Sequence, residues 1–125
     1  MDVLLTKLFK KWAKKVDLSE EALLNAIDDL EAGSSVASLG KSLFKIRVKR
    51  PHSGKSSGFR TIVVYRKADR CVYLHGFAKS KKDNISLKDL RDLQKFGSYL
   101  VNLHGKDLMD LVEEKVLVYI RKEEK

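Results

Sequence analysis

The sequence predicts an α+β fold, a compact domain in which an antiparallel β-sheet packs against N-terminal helices and is followed by C-terminal helices. Apolar residues recur at helical spacing before Gly33 and after Lys79, whereas the stretch between them alternates with period two. The strands predicted there are joined by short connections, which is typical of an antiparallel meander. At 125 residues, of which 43% are hydrophobic, the chain predicts one domain, residues 1–125, around a single core.

Two helices are predicted at the N-terminus. Residues 2–16 place their apolar side chains on a helical stripe, with five lysines mostly on the other face. A basic amphipathic helix can lie on a membrane surface, but Phe9 and Trp12 favour packing against a sheet. Ser19 predicts the N-cap of a second helix, and residues 33–41 then predict a linker rich in serine and glycine.

Three strands are predicted in the middle of the chain. The first has one apolar face and one wholly cationic face, the latter formed by Lys45, Arg47 and Lys49. Residues 59–66 predict the second strand, because β-branched residues dominate it, and residues 71–77 predict the third.

The register between the first two strands decides which side chains meet. If Arg47 lies opposite Arg60, the exposed face gathers cations from both strands: Lys45, Arg47, Lys49, Arg60 and, further along, Arg66. A slip by one residue would instead put Thr61 and Tyr65 on that face. We favour the first register because it buries the apolar residues of both strands and makes one phosphate-binding surface.

The C-terminal third of the chain returns to helical spacing. Asn84 or Ser86 can cap a helix that runs to about Leu103, and Gly105 interrupts it before one or two further turns. Residues 116–120 alternate and predict a final edge strand, although a helix remains open there.

Positive charge is concentrated in one part of the chain. Residues 41–82 contain thirteen Lys and Arg and a single acid, Asp69, so this segment has a net charge of +12. The whole chain has a net charge of +9, because both flanking segments are slightly acidic. Charge segregated in this way points to a polyanionic partner. The absence of paired carboxylates from this segment disfavours two-metal phosphoryl chemistry.

Other functional signals are weak. The three histidines have no metal-ligand spacing; His75, at the end of the third strand, is the best-placed group that titrates near neutral pH. Gly54-Lys55-Ser56 is similar to the tail of a phosphate-binding loop but lacks the strand–loop–helix context. The lone Cys71 predicts a buried core residue and fits a reducing cytoplasm, and neither a secretory signal nor a membrane-spanning run is evident.

Three runs of sequence together resemble the RelE/HigB-like toxins of bacterial type II toxin–antitoxin systems. They are FKIR at 44–47, GKSSGFRTI at 54–62 and GFAKSKKDNI at 76–85. The order of the predicted elements is similar as well, and the resemblance covers about residues 4–120. Ser57 departs from the pattern, since the family usually has a second glycine there.

The resemblance implies a RelE-like domain that cleaves messenger RNA, typically in the ribosomal A site. In such enzymes the RNA's own 2′-hydroxyl attacks the adjacent phosphate, with no metal or other cofactor, while cations stabilise the developing charge. The positions that match the family's functional basic residues are Lys45, Arg47, Arg60 and Lys79, with His75 and Tyr65 as candidates for proton transfer. Further cations expected to bind RNA are Lys49, Lys55, Arg66, Lys81 and Lys82.

The implied partners are a cognate helix-turn-helix antitoxin, mRNA and the ribosome. Three other functions remain open: a ParE-like toxin that targets DNA gyrase, a non-catalytic nucleic-acid-binding module and an interaction protein without toxicity. Cleavage of translated mRNA would identify the mRNA-cleaving toxin, and inhibition of gyrase supercoiling would identify the ParE-like toxin. Salt-sensitive binding that leaves the RNA intact would identify the binding module.

Overall fold

The computed structural model describes residues 1–34, 36–49, 58–78 and 85–123, in which a six-stranded sheet is covered by helices on both faces. The elements follow one another as β1 (Asp2–Thr6), α1 (Lys7–Lys15), α2 (Glu20–Glu31), β2 (Val36–Gly40), β3 (Leu43–Val48), β4 (Phe59–Arg66), β5 (Arg70–Ala78), α3 (Leu87–Val101), α4 (Gly105–Glu113) and β6 (Leu117–Arg121). The predicted α+β class is confirmed.

The sheet has the strand order β2-β3-β4-β5-β1-β6. Strands β3, β4 and β5 form the predicted antiparallel meander. Strand β1 lies inside the sheet, parallel to β5 and antiparallel to β6, so the sheet as a whole is mixed. The predicted final strand is confirmed as β6, which lies at one edge of the sheet.

The prediction of a helix over residues 2–16 is wrong for its first five residues, which form β1. Leu4 and Leu5 belong to the cores on opposite faces of the sheet, and both are buried. An interior strand is apolar on both faces, so its sequence shows no alternation and resembles part of a helical stripe. The helix begins only after Thr6, whose Oγ1 accepts a hydrogen bond from the Phe9 amide at 3.1 Å.

The predicted linker over residues 33–41 contains a further strand, β2, at the other edge of the sheet. Its hairpin with β3 turns through three consecutive residues of positive φ, Gly40, Lys41 and Ser42. By contrast, α2 follows the prediction, because the Ser19 side chain accepts a hydrogen bond from the Ala22 amide at 3.1 Å and caps the helix.

The first two helices cover one face of the sheet, called here the α1 face. Phe9 of α1 stacks on Tyr73 of β5 with ring centroids 4.8 Å apart. The Tyr73 hydroxyl donates a 2.6 Å hydrogen bond to the Leu23 carbonyl of α2, which joins both helices to the centre of the sheet. Cys71 is fully buried on this face, as predicted. Its burial, and to a smaller extent the nearby Glu31 charge, raises the pKa of its thiol.

The last two helices cover the opposite face, called here the α3 face. Ser86, one of the two predicted N-caps, caps α3. Its Oγ accepts a hydrogen bond from the Asp89 amide at 3.1 Å. The helix ends at Val101, two residues before the predicted limit, and the interruption near Gly105 is confirmed, since α4 begins there. Within the described residues, none of the helices is long and apolar enough to cross a bilayer.

Gly76 of β5 is required by the indole of Trp12, which lies directly above it. A Cβ at this position would overlap the Trp12 ring. That ring is itself held between Phe9 and Phe59, whose centroids lie 5.4 Å and 5.3 Å away. The side chain has little room to retreat from an added methyl group.

We therefore expect Gly76→Ala to lower the free energy of unfolding by about 1–3 kcal/mol through overpacking. Gly105→Ala is the matched control, because a Cβ there meets no atom within 4 Å. Urea denaturation followed by circular dichroism measures both variants. Equal stability of Gly76→Ala and the unsubstituted protein would contradict the packing described for Trp12.

Candidate nucleic-acid interface

The register of β3 and β4 brings the predicted cations together. Arg47 lies opposite Arg60, and Lys45 lies opposite Ile62, which confirms the favoured register. Paired residues share a face and side chains alternate along a strand, so Lys45, Arg47 and Arg60 all lie on the α3 face. These three residues are called here the cationic cluster.

Strand β5 adds two rings to the same face. Phe77 lies opposite Arg60, and His75 lies opposite Ile62. The centroids of the His75 and Phe77 rings are 6.0 Å apart. The register between β4 and β5 shifts by one residue at this point: Ile62 pairs with His75, whereas the next residue, Val63, pairs with Tyr73. The half-buried imidazole of His75 therefore lies one strand away from Arg60.

The sheet face on which the predicted cations gather is exposed and cationic only in part. Leu43, Ile62 and Val64 lie on the same face as the cationic cluster and are fully buried in the core beneath α3 and α4. The face is thus divided along its strands. Its apolar part is covered by helices, and the cationic cluster occupies the end where β3 finishes and β4 begins.

A small pocket marks the boundary between the two parts. It has a volume of about 260 Å³ and lies between the sheet and the start of α3. Lys45, Ile62, Phe77 and Leu90 are among its lining residues. Phe77 was not among the predicted site residues, although its position two residues after His75 places it on the same face.

Arg66 lies on the α3 face but at the other end of β4. It is six residues from Arg60, about 20 Å along a strand. Its guanidinium contacts Asp69 at 3.5 Å and donates to the carbonyl of Val101 at 3.4 Å, at the end of α3. Arg66 is therefore not brought together with the cationic cluster, whereas the exposed Lys49 directly follows β3 beside it.

Tyr65 lies on the α1 face, where its ring packs edge-on against Phe44 with centroids 6.0 Å apart. Burial raises the pKa of its hydroxyl, and the charges of Glu31 and Cys71 act in the same direction. Because the sheet separates Tyr65 from His75 and the cationic cluster, its hydroxyl cannot reach a group bound there. This placement removes it from the predicted set of proton-transfer residues.

The remaining site predictions lie outside the described residues. They concern the glycine-rich loop with its unusual Ser57, and the cations Lys55, Lys79, Lys81 and Lys82. In the part of the chain that the structure describes, no three His, Cys, Asp or Glu side chains are grouped so as to hold a metal ion.

The chemistry available at the interface is that of preorganised positive charge. Two guanidinium groups and one ammonium group project from neighbouring strands of a rigid sheet, and guanidinium groups match phosphate oxygens in geometry. Groups fixed in this way can stabilise negative charge that develops on a phosphate. An imidazole on the adjacent strand can carry a proton.

The arrangement is that of an α+β domain whose sheet carries a cluster of cations on one face. The sequence model of one family, described as the RelE toxin of the RelE / RelB toxin–antitoxin system, matches residues 1–120. The chain therefore belongs to the RelE toxin family, and this family implies an antitoxin as its partner. Among curated proteins, none matches the chain significantly.

Arg47 is exposed, so its contribution to binding can be tested without disturbing the core. We expect Arg47→Gln to weaken binding of a uridine oligonucleotide and to reduce the slope of log affinity against log salt by about 0.7, the value for one phosphate contact to a single strand. Fluorescence anisotropy over a range of salt concentrations gives both quantities. Arg91→Gln, an exposed position on α3, is the matched control. Identical slopes for the two variants would contradict a phosphate contact by Arg47.

Proposed function

We propose that this toxin is a metal-independent endoribonuclease that cleaves ribosome-bound mRNA and thereby inhibits translation. The observation that carries the proposal is the pairing of Arg47 with Arg60, with Lys45 and His75 on the same sheet face. Membership of the RelE toxin family and the resemblance of the GKSSGFRTI and GFAKSKKDNI runs support the same function.

In the proposed reaction the RNA supplies its own nucleophile. The 2′-oxygen forms a bond to the adjacent phosphorus, the bond from phosphorus to the 5′-oxygen breaks, and a cyclic phosphate and a 5′-hydroxyl result. One proton leaves the 2′-hydroxyl and one reaches the departing 5′-oxygen. Negative charge grows on the non-bridging oxygens during the attack, so cations aimed at those oxygens lower the barrier.

The cationic cluster is suited to this task by its position. Arg47 and Arg60 are paired across antiparallel strands, with Cα atoms about 5 Å apart, so one phosphate can contact both guanidinium groups. Lys45 lies two residues before Arg47 on the same face and can contact the next phosphate or the same one. We assign these three residues, together with Lys79 from the resemblance, to stabilising the transition state.

His75 is the proposed proton carrier. It lies on β5, one strand from Arg60, and its ring neighbours that of Phe77. General acid–base catalysis by a positioned imidazole contributes typically about 10²–10⁴-fold to a rate.

The proposed setting is the cytoplasm, where translated mRNA is found, and the proposed antitoxin carries a helix-turn-helix domain.

We expect Arg60→Gln to lower the rate of mRNA cleavage by about 10²-fold or more, since it removes a donor to the developing charge. Arg66→Gln is a control on the same strand and face, and it should leave the rate unchanged, because Arg66 lies at the far end of β4. Mapping mRNA 5′ ends by primer extension in a translation extract measures both. Circular dichroism checks that the variants are folded.

Two results would reject the proposal. If the unsubstituted protein leaves translated mRNA uncut and translation intact, it is not an mRNA-cleaving toxin, and inhibition of gyrase supercoiling would then select the ParE-like function. If RNA binds in a salt-sensitive way but remains intact, the protein is a binding module instead.

A further inference from the structure

A second basic surface lies apart from the cationic cluster. It is a groove of about 680 Å³ between α1 and β6, called here the lysine groove. Four of its lysines come from α1 and one from the turn before β6: Lys7, Lys10, Lys11, Lys14 and Lys115. The proposed cleavage reaction uses none of them.

The floor of the lysine groove is apolar and follows a strand edge. It is formed by Val112 of α4 and by Leu117, Val118 and Tyr119 of β6. Consecutive strand residues point to opposite faces, so a groove that touches three in succession runs along the edge of the strand. Strand β6 pairs with β1 on one side and is the last strand of the sheet within the described residues. Its outer edge therefore presents backbone N–H and C=O groups to the groove.

The positive charge of the groove is uncompensated within the described part of the chain. No acidic residue lines it, and none of its lysines forms an ion pair with a described carboxylate. Like charges gathered on one side of a helix repel one another, at a small cost per pair. A bound anionic partner would remove this repulsion, so the groove favours such a partner.

The lysine groove is separate from the cationic cluster. Two strands, β5 and β1, lie between β4 and β6 in the sheet. The α1 lysines come from the helix that covers the α1 face, whereas Arg60 lies on the α3 face. A ligand in the groove would thus leave the cationic cluster open.

We propose that the lysine groove binds an extended segment of a protein partner in which acidic residues alternate with apolar ones, and that the segment adds to the sheet as a strand beside β6. Such a segment uses every feature of the groove: its backbone pairs with the edge of β6, its apolar side chains cover the floor, and its carboxylates contact the lysines. An RNA backbone would use only the lysines and would leave the apolar floor and the strand edge unused.

The toxin–antitoxin family to which the chain belongs implies a protein partner of the antitoxin class, so a surface for a protein segment is expected. The proposal does not depend on RNA cleavage. It identifies the segment by which that partner would bind as an acidic strand, and it places this strand beside β6 and away from the cationic cluster.

The test uses the full chain and three labelled probes: a short peptide in which glutamate alternates with valine, the same peptide with glutamine in place of glutamate, and a uridine oligonucleotide. Lys10→Glu with Lys14→Glu changes the charge of the groove lysines from +5 to +1. Lys88→Glu with Lys95→Glu makes the same change of net charge at exposed positions of α3. Fluorescence anisotropy measures the affinity of every probe for every variant.

We expect the acidic peptide to bind the unsubstituted chain more tightly than the glutamine peptide does. The groove variant should bind the acidic peptide about tenfold or more weakly, and the α3 variant less than about twofold more weakly. Uridine oligonucleotide binding and mRNA cleavage should change equally in the two variants. Hydrogen exchange should show new protection of amides in β6 when the acidic peptide is bound.

Val118→Ser is a second variant that leaves the charge unchanged and removes part of the apolar floor. This variant should bind the acidic peptide several-fold more weakly and should bind the oligonucleotide with unaltered affinity. The proposal would be overturned if the groove and α3 variants lost equal affinity for the acidic peptide. It would also be overturned if the β6 amides stayed unprotected when that peptide is bound. A loss confined to the oligonucleotide would overturn it as well and would make the groove an RNA-docking surface.

Discussion

The candidate site depends on the close packing of α3 against the sheet. Gly97 allows the helix to approach closely, because a Cβ there would lie 3.2–3.3 Å from side-chain atoms of Leu43 and Val64. The helix end is fixed by the buried Arg70, whose Nη1 donates to the Leu100 carbonyl at 3.0 Å, where the helix dipole favours a cation. Because α3 is held over this half of the sheet face, it buries the apolar residues there and leaves the other half to the cations.

The same sheet separates two sets of polar groups that are mixed along the sequence. Arg60 and His75 lie on the α3 face, whereas Tyr65, which follows Arg60 by five positions, lies on the α1 face. Odd spacing along a strand places two side chains on opposite faces. A sheet covered on both faces thus keeps the cationic cluster on one face and the aromatic core of Phe9 and Tyr73 on the other.

Sequence patterns predicted the parts of this structure that depend on local contacts. The Ser19 cap and the pairing of Arg47 with Arg60 follow from helix-capping chemistry and from alternation. Strand β1 could not be predicted in this way, because a strand buried on both faces has no period of its own. The position of Arg66 was missed for another reason: alternation fixes the face of a side chain but not its distance along the strand. The lysine groove required the packing of α1 beside β6, which no pattern within either segment encodes.

We propose that RNA binds the open half of the α3 face, since helices occupy the rest of that face. Amide and side-chain NMR of the protein titrated with an RNA oligonucleotide carrying 2′-O-methyl groups, which prevents cleavage, tests it directly. Chemical-shift changes should be concentrated at Lys45, Arg60, His75 and Phe77, with little change at Tyr65 on the other face. Shift changes centred on the α1 face, with the cationic cluster unaffected, would contradict it.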